Sequence, residues 1–205
     1  MARWRALLKD IRDVQTEIMR LAPWRDAGLV PNPRASARAI ASAEQRIGRP
    51  LPPSYREFLC EHDGWPRFFE GATLFGTANL GLRLYDQAIR AAFEAAETPV
   101  PDVGPPSRVE PRRMLIAFGA DVQATTLLAF ESSRENTAGE LAVVAWINEI
   151  GVRRESFESF LELILELNEA ELHYRRGARQ RAPIAEVELP ILPIPGARPP
   201  AAATG

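Results

Sequence analysis

Residues 114–147 read MLIAFGADVQATTLLAFESSRENTAGELAVVAWI, and this stretch decides the fold class. It contains three apolar runs: MLIAF (114–118), TTLLAF (125–130) and LAVVAWI (141–147). Short apolar runs separated by turn residues and by the polar segment ESSRENTAGE predict consecutive antiparallel strands. The following GVRRE is able to complete a meander, so we expect an antiparallel or mixed sheet of about four to six strands.

Helical patterns precede this stretch. The first has an apolar stripe that ends before Pro23, formed by Trp4, Leu7, Ile11, Val14, Ile18 and Leu21. It spans fewer than three heptads, which favours a helix packed on its own domain over a short coiled-coil seam. Ser36 predicts the start of a second helix, which buries Ile40, Ala43 and Ile47 and ends at Gly48.

A third helix is predicted to begin at Pro52 and Pro53 and to end at Asp63-Gly64. Its apolar face carries Tyr55, Phe58, Leu59 and His62. Residues 65–81, WPRFFEGATLFGTANLG, predict a loop with a short strand near Thr73–Phe75. A fourth helix is marked by Leu82, Tyr85, Ile89, Phe93 and Ala96, and the five prolines of 98–111 predict an irregular connection.

The end of the chain predicts one long helix and then a tail. Ser156 is the expected cap of the helix, whose inward residues are Phe157, Phe160, Leu161, Ile164 and Leu167. From about Arg175 the six remaining prolines predict an extended segment. The order of helices, strands and a final helix favours an α+β fold, with N-terminal helices and a long C-terminal helix packed on the sheet. We expect an N-terminal helical extension (1–35), an α+β domain (36–174, with the Pro-rich loop 98–111) and a Pro-rich tail (175–205).

The bulk composition limits the function classes. The 205 residues carry a net charge of −2, so no overall field recruits nucleic acid or an anionic membrane. Cys60 is the only cysteine, which excludes an intrachain disulfide and a thiolate metal cluster. The charged N-terminal residues predict neither a signal peptide nor a membrane span, so a cytoplasmic protein is expected.

Residues 36–65 resemble the opening signature of the SUKH superfamily (Smi/Knr-type) of immunity-protein domains. The matching positions are Ile40, Glu44, Gly48, Leu51, Pro52, Tyr55, Phe58, Leu59, Asp63, Gly64 and Trp65. The closing helix is also similar, at Phe157, Phe160 and Leu161. The resemblance implies an α+β fold and, in bacteria, immunity proteins encoded beside secreted polymorphic toxins, many of them nucleases. Fungal relatives act as regulatory scaffolds of cell-wall assembly.

No catalytic or metal site is predicted. Glu61, His62 and Asp63 are consecutive and point in different directions at a helix end, whereas a metal site needs ligands converging from separate elements. There is no G-x-S-x-G motif, and neither histidine lies in a catalytic motif. The glycines of 71–81 lack the spacing of a phosphate-binding loop. We therefore expect no cofactor and no enzymatic activity, with an uncharacterised enzyme as the remote alternative.

Two groups of residues are candidates for partner binding. Trp65, Phe68 and Phe69 cluster after the third helix; core packing is the favoured interpretation, and an exposed anchoring patch is the alternative. The final helix carries an acidic ridge, which we define as Glu155, Glu158, Glu162, Glu166 and Glu169. These five carboxylates fall within an arc of about 80°, opposite the apolar face.

The acidic ridge has three interpretations. A solvated face is the default. The alternatives are a basic partner such as a toxin, or the protein's own Arg-rich ends, since 1–35 and 175–205 each carry a net charge of +3. The function expected overall is that of an immunity protein that binds a cognate toxin. A scaffold or adaptor that uses the Pro-rich tail as a recognition segment is the alternative.

Overall fold

The computed structural model describes residues 3–22, 30–85, 88, 115–123, 125–147 and 150–181. Its helices are α1 (Arg3–Leu21), α2 (Ala37–Ile47), α3 (Pro53–Glu61) and α4 (Phe157–Arg181). Its strands are β1 (Trp65–Phe69), β2 (Ala72–Leu74), β3 (Leu115–Ala120), β4 (Thr126–Glu135), β5 (Leu141–Ile147) and β6 (Ile150–Arg154). The α+β class is confirmed. The helix predicted over 82–96 lies mostly, and the connection 98–111 wholly, outside the described residues.

The six strands form one sheet in chain order, and every neighbouring pair is antiparallel. The strands predicted from 114–147 are therefore confirmed, and GVRRE does complete the meander. β4 runs further than predicted, through the polar residues up to Glu135. The last residues of β4 are exposed, and the register with β5 shifts between Glu131 and Glu135. They belong to the strand because Glu135 pairs with Leu141 through the backbone, although their side chains are not buried.

Trp65–Phe69 is a strand, and its assignment to a loop was wrong. Pro66 and the nearby glycine favoured a loop in the sequence. The structure accommodates them in an irregular edge hairpin, where Arg67 and Glu70 adopt positive φ angles of 51° and 46°. A proline is tolerated in an edge strand, because one backbone donor fewer is needed there.

The predicted caps of α2 are confirmed. The Ser36 hydroxyl accepts from the Ala39 amide at 3.1 Å, and Gly48 takes the left-handed conformation with φ 85°. α3 begins at Pro53 as predicted. The Ser54 amide in its first turn is capped by a residue that is distant in the sequence. Glu140, just before β5, accepts from the Ser54 amide at 2.7 Å and from the Ser54 hydroxyl at 2.7 Å.

Tyr55 of α3 lies at the centre of the core. Its ring is fully buried and contacts four other aromatic rings at centroid distances of 5.0–5.4 Å: Phe58, Phe118, Phe130 and Phe157. Its hydroxyl donates to the Phe75 carbonyl at 2.7 Å and lies 3.2 Å from the Phe118 carbonyl. Burial, with a further contribution from Asp63, raises the pKa of the Tyr55 phenol well above 10, so the group stays a donor.

α1 packs beside α4 and contributes to the same core. Trp4, Leu8 and Ile11 belong to the core cluster, which confirms the intradomain interpretation of the apolar stripe. Arg3 pairs with Glu162 near the start of α4, and Glu17 lies 4.0 Å from Arg176 near its end. The two helices therefore run parallel.

α4 differs from the prediction in its length and in its phase. It continues to Arg181, so an extended chain from Arg175 is wrong for 175–181, where no proline interrupts the helix; the rest of the tail lies outside the described residues. Leu167 was expected to face inward but is exposed. Asn168 occupies the buried position instead, and its side-chain amide donates to the Ile164 carbonyl at 2.7 Å.

Replacing Tyr55 with Phe should lower the free energy of unfolding by about 1–2 kcal/mol, because the Phe75 carbonyl then loses its buried donor. Urea denaturation monitored by circular dichroism measures this difference. Tyr174→Phe is the matched control, since Tyr174 is mostly exposed, and it should have no measurable effect. Equal stabilities of Tyr55→Phe and the parent protein would show that the hydroxyl contributes nothing.

Candidate functional site

The N-terminal end of α1 is held by carboxylates from two other helices. The Trp4 amide donates to Glu158 of α4 at 3.2 Å, and the Trp4 indole donates to Glu57 of α3 at 3.2 Å. Arg3 pairs with Glu162, and the Arg5 guanidinium pairs with Glu61 at 2.6 Å. Four carboxylates thus surround the first turn of α1.

The electrostatics of α1 explain this arrangement. The N-terminal end of a helix carries a partial positive charge, which acidic residues in the first turn normally offset. α1 has no acidic residue there and instead carries Arg3 and Arg5. The carboxylates of α3 and α4 provide the missing negative charge, and Glu158 also satisfies a free backbone amide.

This arrangement corrects the expected acidic ridge. Glu158 and Glu162 are half-buried and bonded to α1, so they do not belong to an open face. The contacts of these two residues support the interpretation that the ridge pairs with the protein's own Arg-rich N-terminus. Glu155, Glu166 and Glu169 are exposed and form no ion pair within the described part of the chain.

The aromatic cluster lies in the core. Trp65, Phe68 and Phe69 are all buried, and the rings of Trp65 and Phe68 are 5.5 Å apart. The core-packing interpretation is confirmed, and these side chains offer no aromatic surface to a partner.

The signature positions stabilise the fold. The buried apolar members are Ile40, Leu51, Tyr55, Phe58, Leu59, Trp65, Phe157, Phe160 and Leu161, and Pro52 caps α3. Glu44 accepts from the Leu51 amide at 3.1 Å and pairs with Arg56 at 3.3 Å.

The turn after α3 is fixed by an aspartate and a glycine of the signature. Asp63 accepts from the Thr77 amide at 2.5 Å and from the Thr77 hydroxyl at 3.0 Å, which holds the segment after β2 against the end of α3. Gly64 has φ 86°, and a Cβ there would lie 2.7 Å from the Leu74 carbonyl oxygen. Only glycine fits this position without strain.

A groove of about 460 Å³ lies between α1 and the end of α3. Its wall includes three cations of α1, Arg5, Lys9 and Arg12. Two of them are neutralised locally, because Lys9 bonds Asp13 at 2.7 Å and Arg5 bonds Glu61. His62 lines the groove with its ring between those of Phe58 and Trp65, at 5.9 and 6.1 Å. Within the described ranges, no three potential ligands among His, Cys, Asp and Glu converge on a metal position.

Sequence reasoning did not identify Glu57 or Glu140 as partners of helix ends. The available signal was a helix that begins with two arginines and no acid, because such a helix is stabilised by negative charge from elsewhere. The source of that charge depends on tertiary contacts, and spacing along the chain does not reveal it.

The fold and its signature define an α+β domain in which a helical layer and a six-stranded meander share an aromatic core. A family comparison matches residues 34–166 to the SMI1 / KNR4 family (SUKH-1), and the chain belongs to this family. The match leaves out α1, which nevertheless shares the core. A search of the curated proteins found no match. None of the described helices is long and apolar enough to cross a membrane.

Replacing Glu158 with Ala should lower the free energy of unfolding by about 0.5–2 kcal/mol, because the Trp4 amide loses its acceptor and the first turn of α1 loses a nearby negative charge. Glu155→Ala is the control, since it also removes a carboxylate near the start of α4 but one that is exposed and has no contact to α1. Chemical denaturation measures both variants. Equal effects at the two positions would contradict the assigned role of Glu158.

Proposed function

We propose that the protein is a non-catalytic immunity protein that neutralises a cognate bacterial toxin by binding it directly. The observation that carries this proposal is the family match over 34–166, since bacterial SUKH domains are typically immunity proteins. The signature residues serve the fold: most are buried apolar side chains, and the polar groups of Glu44, Tyr55 and Asp63 bond to other parts of the domain.

The toxin should be encoded beside this protein's gene, so the decisive experiment expresses the two together. We expect growth of a toxin-sensitive bacterium to be restored, and a stable complex of the two purified proteins in size-exclusion chromatography. An unrelated toxin is the control and should not be neutralised. Absence of both rescue and complex, or stable assembly with a component of a secretion or structural operon instead, would contradict the proposal and favour an adaptor.

Glu155, Glu166 and Glu169 are the part of the acidic ridge that remains available to such a partner. Glu166 and Glu169 are one helical turn apart, and Glu155 immediately precedes α4. A nuclease toxin carries a basic surface that holds phosphates, and these carboxylates complement that surface. They are also free of any role in holding α1, in contrast to Glu158 and Glu162.

The triple variant Glu155→Lys, Glu166→Lys and Glu169→Lys should reduce the association rate with the toxin about tenfold at low salt, because charges at an interface rim act mainly on encounter. The effect should shrink as salt rises and shortens the screening length. Stopped-flow kinetics measure the rate, and Asp10→Lys, an exposed site on α1, is the control. Unchanged kinetics in the triple variant would assign these glutamates to a solvated face.

A further inference from the structure

The two edges of the sheet differ in how they are protected. At the β1 edge, Pro66 lacks a backbone donor, and the Gln15 side chain of α1 donates to the Phe68 carbonyl at 2.6 Å. The Asn32 amide donates to the Gly64 carbonyl at 3.0 Å just before this strand. Such blocking is the usual defence of an edge strand against pairing with another chain.

At the β6 edge, no other described strand pairs with the outer side of β6. The Asp121 amide donates to the Thr126 carbonyl at 3.1 Å, so the backbone groups of Thr126 point towards β3. Successive residues of an antiparallel strand point their backbone groups to alternate sides. Even-numbered residues of β4 therefore face β3, and odd-numbered ones face β5. The same alternation across β5 makes Ile150, Val152 and Arg154 the hydrogen-bonding partners of β5. The amides and carbonyls of Gly151 and Arg153 therefore point away from the sheet.

The side chains of β6 give this edge a definite chemistry. Ile150 is 67% exposed although it is apolar, and Val152 is half-buried beside it. Arg153 pairs with the buried carboxylate of Glu131 at 3.0 Å, and Arg134 lies 3.4 Å from the same carboxylate. One negative charge is therefore shared between two arginines. Arg154 contacts only the Arg153 carbonyl at 3.4 Å, so its charge is unneutralised within the described part of the chain. The strand itself, IGVRR, contains no acid.

We propose that β6 is a docking edge, which adds one extended segment of the partner protein to the sheet by backbone hydrogen bonds. The segment carries two consecutive acidic residues opposite Arg153 and Arg154, followed by apolar residues beside Ile150 and Val152. Charge complementarity favours this occupant over a second copy of β6. A second β6 would place two more arginines beside Arg153 and Arg154, and it has no carboxylate within the strand. Backbone bonds supply affinity in this mode, and side chains supply specificity.

This inference deepens the proposed function by naming the surface and the chemistry of the partner, and it rests on that function only for the partner's identity as a toxin. Its tests therefore use a synthetic peptide. A peptide result and a toxin-rescue result can fail independently, so the two proposals remain distinguishable.

The first measurement is amide hydrogen exchange in the free protein. The amides of Gly151 and Arg153 should exchange about tenfold or more faster than those of Val152 and Arg154, which bond to β5. Equal protection of all four amides would show that the edge is already paired, and this would overturn the proposal.

The second measurement titrates the ¹⁵N-labelled protein with a short capped peptide that contains two consecutive glutamates followed by alternating valine and threonine. Shifts should centre on 150–154, and the Gly151 and Arg153 amides should become protected. A peptide with lysines in place of the glutamates should bind about tenfold more weakly or not at all. Shifts centred elsewhere, no shifts, or equal binding of both peptides would each overturn the proposal.

Two variants test the backbone and the charge separately. Gly151→Pro removes an outward-pointing donor, which an edge strand tolerates, and should weaken peptide binding about tenfold or more. Gly151→Ala keeps the amide, and its Cβ would meet only the Trp146 ring nitrogen at 3.8 Å, so it should bind like the parent. Arg154→Glu should weaken binding without removing any backbone donor. Unchanged binding in both Gly151→Pro and Arg154→Glu, or a concentration-dependent dimer abolished by Gly151→Pro, would contradict the proposal.

Discussion

The burial of Tyr55 is the interaction on which the rest of the structure depends. Its ring contacts side chains from α3, β3, β4 and α4, and its hydroxyl reaches carbonyls at the end of β2 and in β3. One residue therefore fixes the distance between the helical layer and the sheet. A buried hydroxyl must be bonded, which constrains the path of the chain after β2 as well as the packing of the rings. The caps on α2 and α3 and the turn at Gly64 place Tyr55 in this position.

A second constraint comes from the charge at the start of α1. A helix that begins with arginines is stabilised where negative charge approaches its N-terminal end. Glu158 and Glu162 supply this charge from α4, and Glu57 and Glu61 supply it from α3. The acidic ridge suggests an interaction surface in the sequence, but Glu158 and Glu162 use their carboxylates for contacts within the protein. Among the described residues, the carboxylates of the ridge that do not contact α1 are Glu155, Glu166 and Glu169, which lie on and beside α4.

Much of the fold was predictable because its signals are local. The continuous apolar runs of β4 and β5, the Ser36 cap and the Gly48 stop all depend on residues a few positions apart. The misassigned parts depend on distant residues. β1 is a strand because β2 and Gln15 pair with it, and its own Pro66 indicates otherwise. Asn168 replaces Leu167 at the buried position because α1 and the sheet together set the phase of α4. Of the candidate site, the sequence identified the glutamates but not their partners, since an ion pair such as Arg3–Glu162 joins opposite ends of the chain.

We infer that α1 and the family domain form one cooperative unit, joined through the aromatic core and the carboxylates of α3 and α4. Native-state hydrogen exchange under increasing denaturant tests this claim most directly, because it measures the free energy of opening for each amide separately. We expect the amides of Ile11 and Gln15 in α1 to exchange through the same global unfolding as those of Phe130 in β4 and Ile164 in α4. Exchange in α1 through a separate opening, about 2 kcal/mol or more below the global free energy of unfolding, would contradict it and make α1 an appendage.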